Sequence, residues 1–293
     1  MNDEKAQFTT QLQTIKRLHP RPVTWRSRAH DLKIEWRTRT AVFKAGRTAQ
    51  TPPIRFCVVA PGRTGSTLIF DLANSHPDVQ CESNAKQTEL LSNRFLQPRA
   101  FVEARAKLCP ARAYGFKVKL NQLARNVTIE PQVFLQSMHD DGWKMIFLTR
   151  GNIFRQSLSL ALARQTQVWH RVRDSDGTVK NAESGGVKTE KVELDIKLLL
   201  RILDYEELCH DCSKTVLRGI PHLKLEYEDD LFTAAQQSAT MARVFDYLGL
   251  PPHPVSTCFE RTGQDDWRAV LSNAPAVEAA LRGTRFEHFI DAP

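Results

Sequence analysis

The residues best placed to do chemistry are Pro61-Gly62-Arg63-Thr64-Gly65-Ser66-Thr67, which follow an apolar run and precede a helix-like one. Glycines at 62 and 65 allow a tight turn in which successive backbone N–H groups converge on one oxyanion. A helix opening near Ser66 adds its free N–H groups and its dipole, and Ser66 and Thr67 add hydroxyls. Arg63 brings a charge that no working pH removes. The chemistry this suggests is the holding of a phosphate-like group; the plainer alternative is a structural strand-to-helix connection. The turn is not a Walker A loop, because only Arg63 and Thr64 separate its glycines and no lysine precedes Ser66. Without that lysine, and without an obvious acidic magnesium ligand, ATP hydrolysis is disfavoured.

A second cationic cluster begins at Arg150, after the apolar run Lys144 to Thr149, and continues into Arg155-Gln156-Ser157-Leu158-Ser159. Arginine offers phosphate a forked pair of donors and serine adds a hydroxyl, from either Ser159 or Ser157. Lys117 and Lys119 share one side of a strand, since side chains alternate along it. Trp169 is a flat platform for a sugar or base, or else a packed helix end, and His170 beside it is a base candidate. Arg261-Thr262-Gly263 combines a glycine turn with a leading cation, which suits either a phosphate or an ordinary surface loop.

These residues need a frame. Residues 54–60 read as a buried strand, 66–75 as a helix, and 79–81, 114–120 and 144–149 as further strands. A long helix is predicted over 152–170, another over 198–216, a late strand over 223–227 and a helix around 241–248 that Gly249 and Pro251-Pro252 stop. The polar stretch 173–191 reads as a mobile loop. Strand–helix alternation predicts an α/β domain with a mostly parallel central sheet flanked by helices. The expected partition is a basic N-terminal extension over 1–50 and one domain over 51–293.

The formal charge of +8 is concentrated at the start, where residues 1–50 hold eleven Lys and Arg against four Asp and Glu. Such an arm suits nucleic acid, anionic lipid or an anionic substrate, or is simply a solvated helical face. No apolar stretch is long enough to span a membrane, and no apolar run follows a basic start, so a cytoplasmic protein is expected. Six cysteines do not make a disulfide framework, and the lone Cys209-His210-Asp211-Cys212 spacing lacks a second ligand pair for zinc, so no metal is expected.

The motifs together resemble those of sulfotransferases that use 3′-phosphoadenosine-5′-phosphosulfate (PAPS). Arg-Thr-Gly-Ser-Thr after a first strand, with His76-Pro77 beyond, is similar to their 5′-phosphosulfate loop, in the form found in bacterial carbohydrate sulfotransferases. Tyr114-Gly115-Phe116-Lys117 and Ala163-Arg164-Gln165-Thr166-Gln167-Val168-Trp169 resemble segments of the same subgroup, and Arg261 to Trp267 echoes a C-terminal loop in which Thr262 stands where the pattern has lysine. The resemblance runs from about Ile54 to the C-terminus. It implies a P-loop-like turn in which Arg63, Thr64, Gly65, Ser66 and Thr67 hold the 5′-phosphosulfate. Arg150 and Ser159, covered by Arg261, Thr262 and Gly263, would hold the 3′-phosphate. Catalysis falls to Arg63, to Lys117 near the sulfuryl group or acceptor, and to a general base, with Glu82 expected ahead of His170. Asn84 occupies the place the family pattern gives to glutamate. The implied acceptor is a hydroxyl, with a carbohydrate or glycolipid favoured and no nucleic acid expected. The competing functions are a P-loop nucleotide kinase or NTPase, and a non-enzymatic basic module for nucleic acid or anionic membrane.

Overall fold

The computed structural model describes residues 2–18, 25–47, 52–82, 97–126, 129–174, 176–182, 191–261 and 265–292. In chain order the elements are α1 (Asn2–Leu18), α2 (Trp25–Ala45), β1 (Ile54–Val59), α3 (Ser66–Asn74), β2 (Val79–Glu82), α4 (Pro98–Lys107), β3 (Ala113–Val118), α5 (Leu120–Arg125), α6 (Pro131–Asp140) and β4 (Lys144–Thr149). There follow α7 (Ile153–Thr166), β5 (Arg171–Arg173), β6 (Val179–Asn181), α8 (Ile196–Val216), β7 (His222–Glu226), α9 (Tyr227–Asp230), α10 (Ala234–Leu248), β8 (Phe259–Glu260) and α11 (Ala274–Leu281). Short 3₁₀ turns at Trp267–Val270 and Glu287–Phe289 close the chain.

β1 sits in the middle of a five-stranded sheet of order β2-β3-β1-β4-β7, in which every pairing is parallel. Its two faces are covered by different helices, which is why its strands read as nearly continuous apolar runs. Cys57, Val59, Tyr114, Phe116, Met145 and Phe147 pack with Leu123, Leu135 and Cys209 of α5, α6 and α8. Phe56, Val58, Ile146 and Leu148 pack on the other face with Ile69 and Phe70 of α3 and Met241 and Phe245 of α10. A third cluster joins α7 and α8 to α11 and the buried Trp267. Cys209 and Cys212 are buried free thiols of this interior. No helix among the described residues is long and apolar enough to cross a membrane.

Four local features depart from the expectations. The N-terminal residues are not a detached arm: Phe8 and Ile15 of α1 lie in the main core, and the Cys212 thiol donates to Gln11 Oε1 at 3.6 Å. α10 begins at Ala234, seven residues before Met241, because Thr233 and Gln236 form a reciprocal capping box. α7 ends at Thr166 because Gln167 takes a left-handed φ of 59°. Finally, the stretch expected as a loop holds β6, paired antiparallel to β5, while 183–190 lies outside the described residues. β8 completes this small sheet in the order β6-β5-β8.

Candidate functional site

The chain leaves β1 for β2, beyond β3, but leaves β4 for β7 on the opposite side. The loops after these two neighbouring strands therefore diverge, and a crevice opens at their C-terminal ends, the usual ligand position in a parallel sheet. Both cationic segments singled out in the sequence arrive here, because residues 60–65 follow β1 and Arg150 follows β4.

The turn after β1 has a demanding backbone. Arg63 sits at φ 64° and Gly65 at φ 85°, both left-handed. A Cβ at Gly65 would come within 2.8 Å of the Tyr227 ring, so glycine is required there by conformation and by space. Gly65 caps α3 without any side-chain hydrogen bond to the first-turn amides, which leaves those donors for something else. Thr64 is wholly buried and its hydroxyl donates to Pro61 O at 3.0 Å, so its side chain locks the turn and does not line the cleft.

Arg63, Gly65, Ser66, Thr67, Arg150, Ser159, Trp169, His170 and Arg261 line one cleft. Arg63 donates through Nε to Ser159 Oγ at 3.0 Å and through Nη1 to Trp169 O at 2.6 Å. Arg150 donates to the Arg63 carbonyl at 3.3 Å, pairs with Glu228 at 3.0 Å and stacks 4.8 Å above Tyr227. Of the two candidate serines, Ser159 lines the cleft, whereas Ser157 is buried in the interior. Arg261 stacks 3.9 Å from the centre of Phe232 and pairs with Asp265 at 2.8 Å, while Thr262 and Gly263 lie outside the described residues.

Lys117 stands just behind this lining and donates to Thr67 Oγ1 at 3.1 Å. It is 6% exposed and forms no ion pair among the described residues. Burial pushes its ammonium down to about 8, and Lys119 adds to the effect. On the other side of the same hydroxyl, His170 Nε2 lies 3.5 Å from Thr67 Oγ1. An ammonium can only donate, so Thr67 Oγ1 accepts from Lys117, and its own hydrogen can turn toward His170 Nε2 when that nitrogen is unprotonated. The left-handed Gln167 makes this possible, because it ends α7 before Trp169 and His170 and brings both to the cleft.

Glu82 is placed elsewhere and does not line the cleft. It pairs with Phe116 in the β2–β3 register, one residue from Lys117, and strand alternation puts the two side chains on opposite faces. Its carboxylate is 7% exposed, accepts from Arg105 Nε at 2.5 Å and also bonds the Tyr114 hydroxyl. The expectation of Glu82 as general base therefore gives way to a structural ion pair.

Four contributors were not singled out from the sequence. Tyr227, first residue of α9, walls the cleft directly after β7, where the rule on strand C-termini could have found it. Phe259 and Glu260 arrive on β8 with no local signal. Gln156 Nε2 donates both to Gly62 O at 2.9 Å and to the buried Glu206 at 2.8 Å, tying the turn to α8. Burial pushes the Glu206 carboxyl up to about 7, against the pull of Lys119 and Arg164. As a whole the cleft can hold an oxyanion on the α3 amides and Arg63, a second anion near Arg150, and a hydroxyl within reach of His170. Neither the protein-family models nor the curated proteins compared with this chain include a match to it.

Proposed function

We propose that this protein is a sulfotransferase that moves a sulfuryl group from PAPS to a hydroxyl, and that its cleft takes the donor through a P-loop-like turn. The observation that carries the reading is the meeting of the Pro61–Thr67 turn with Arg150, Ser159 and Lys117 at one crevice. The donor fits what is there. The uncapped start of α3 and Arg63 match the 5′-phosphosulfate, and Arg150 with Ser159 matches a second, separate phosphate. PAPS supplies a sulfuryl group already bonded to a good leaving group, so the protein has little covalent work to do.

What the chain contributes is positioning and charge, as in phosphoryl transfer. The acceptor oxygen forms its bond to sulfur as the bond from sulfur to the phosphate oxygen breaks. The departing electron pair stays on the nucleotide, adenosine 3′,5′-bisphosphate. Arg63 and Lys117 balance the charge that grows there. His170, which lines the cleft where Glu82 does not, takes the acceptor proton on Nε2. Trp169 beside it offers an apolar ring face to a sugar, in keeping with a carbohydrate or glycolipid acceptor.

Calorimetric titration tests the donor assignment. Adenosine 3′,5′-bisphosphate is expected to bind well ahead of ATP and without magnesium. Equal binding of ATP, or binding that needs the metal, would return the cleft to a nucleotide kinase or NTPase.

A further inference from the structure

α2 is amphipathic in an unusual sense, because its small-residue face is the buried one. Thr38, Ala41 and Ala45 are buried, and Ala41 and Ala45 meet Ala104 of α4. The opposite face carries Leu32, Trp36 and Phe43, which are 67%, 67% and 61% exposed. At 100° per residue these three fall within an arc of about 40°, one stripe along the helix. Cations border it: Arg37, Arg39, Lys44 and Arg47 are all exposed, Arg39 pairing with Glu35 and Arg47 lying 4.2 Å over the Phe43 ring. Over its whole length α2 holds six Lys and Arg against two Asp and Glu, a net of +4.

We propose that the Leu32–Trp36–Phe43 face of α2 docks the protein on an anionic lipid bilayer, lying in the headgroup region without crossing it. A helix with large apolar side chains on one stripe and cations beside it gains twice at such a surface. The rings and Leu32 leave water, and the flanking charges meet lipid phosphates. Other occupants fit less well. A nucleic acid would press its phosphates against the apolar stripe, and a second copy of this face would set one excess of positive charge against another. The docking is independent of whether the cleft takes a nucleotide.

Sedimentation of the full chain with lipid vesicles tests this. Binding is expected to phosphatidylcholine vesicles that contain phosphatidylglycerol, and to weaken as salt is raised. Replacing Leu32, Trp36 and Phe43 together by Ser is expected to lower that binding about tenfold or more. The thermal melting point should be unchanged, since all three side chains are exposed. A second variant, Lys44→Gln with Arg47→Gln, is expected to lose several-fold and to become less salt-sensitive. Failure of the wild-type chain to bind anionic vesicles overturns the proposal, whether it is monomeric or self-associates through this face. So does equal binding to vesicles of phosphatidylcholine alone, or full binding by the folded triple variant.

Discussion

Glu82 and Lys117 are buried charges at the ends of adjacent strands, one residue out of register, and they have opposite fates. Glu82 looks to the α5–α6–α8 face, where Arg105 and Tyr114 satisfy it. Lys117 looks to the α3 face, where it meets one threonine hydroxyl and the neighbouring Lys119 lowers its affinity for a proton further. A buried charge answered by a partner of opposite sign is part of the framework. Lys117 is answered only by neutral groups, the Thr67 hydroxyl and the Phe70 ring 5.8 Å away, and on the proposed function it is the charge left over for an anionic ligand.

Substitutions at residues that line the crevice are expected to have the largest effects. Arg63→Ala removes the cation of the turn and is expected to lower kcat for sulfuryl transfer about a hundredfold or more, with the circular dichroism spectrum intact. His170→Asn should cost a similar factor through loss of the base and leave adenosine 3′,5′-bisphosphate affinity nearly unchanged. Near-normal turnover in either variant would remove that residue from the mechanism.

Glu82→Gln is the mirror experiment. Turnover should be kept, while the lost ion pair with the partly exposed Arg105 lowers stability by about 1–3 kcal/mol in urea unfolding. If turnover collapses in a protein that stays folded, the carboxylate belongs to the chemistry after all. A related test concerns the N-terminus. Ile15 is fully buried, so Ile15→Ala should destabilise the protein by about 2–5 kcal/mol, and removal of residues 1–45 should be worse than neutral for folding.

The smallest effect is a pH dependence. The folded-state pKa of Lys117 lies near 8, below its ordinary value, so its charge is present below pH 8 and fades above it. Affinity for the bisphosphate should therefore weaken as pH rises through 8, and Lys117→Met should weaken binding at pH 7 and flatten that slope. For stability the sign is opposite. Between pH 8 and the ordinary lysine range the unfolded chain holds the extra proton, so this group's contribution to stability rises with pH.

Much of the fold could be read because the sheet is covered on both faces: Cys57-Val58-Val59 and Met145-Ile146-Phe147-Leu148 leave little doubt about buried strands. The tight turn after β1 was legible for a different reason, being a glycine-bearing connection fixed by local backbone needs. Which of Glu82 and His170 reaches the cleft was not legible, since that depends on which side of the structure each one faces. Two-residue alternation counted from Val79, a buried residue on the α3 side, puts Cys81 on that side and Glu82 on the other. His170 depends on a left-handed glutamine at 167, which no local pattern announces. In α2, only the packing of Ala41 and Ala45 against α4 shows which face is left outside.

A crystal structure of the protein with adenosine 3′,5′-bisphosphate tests the central claim most directly. The 5′-phosphate is expected on the backbone amides of residues 64–67 beside Arg63, and the 3′-phosphate against Arg150 and Ser159. A nucleotide bound away from the β1–β4 crevice, or none bound at saturating concentration, would contradict it.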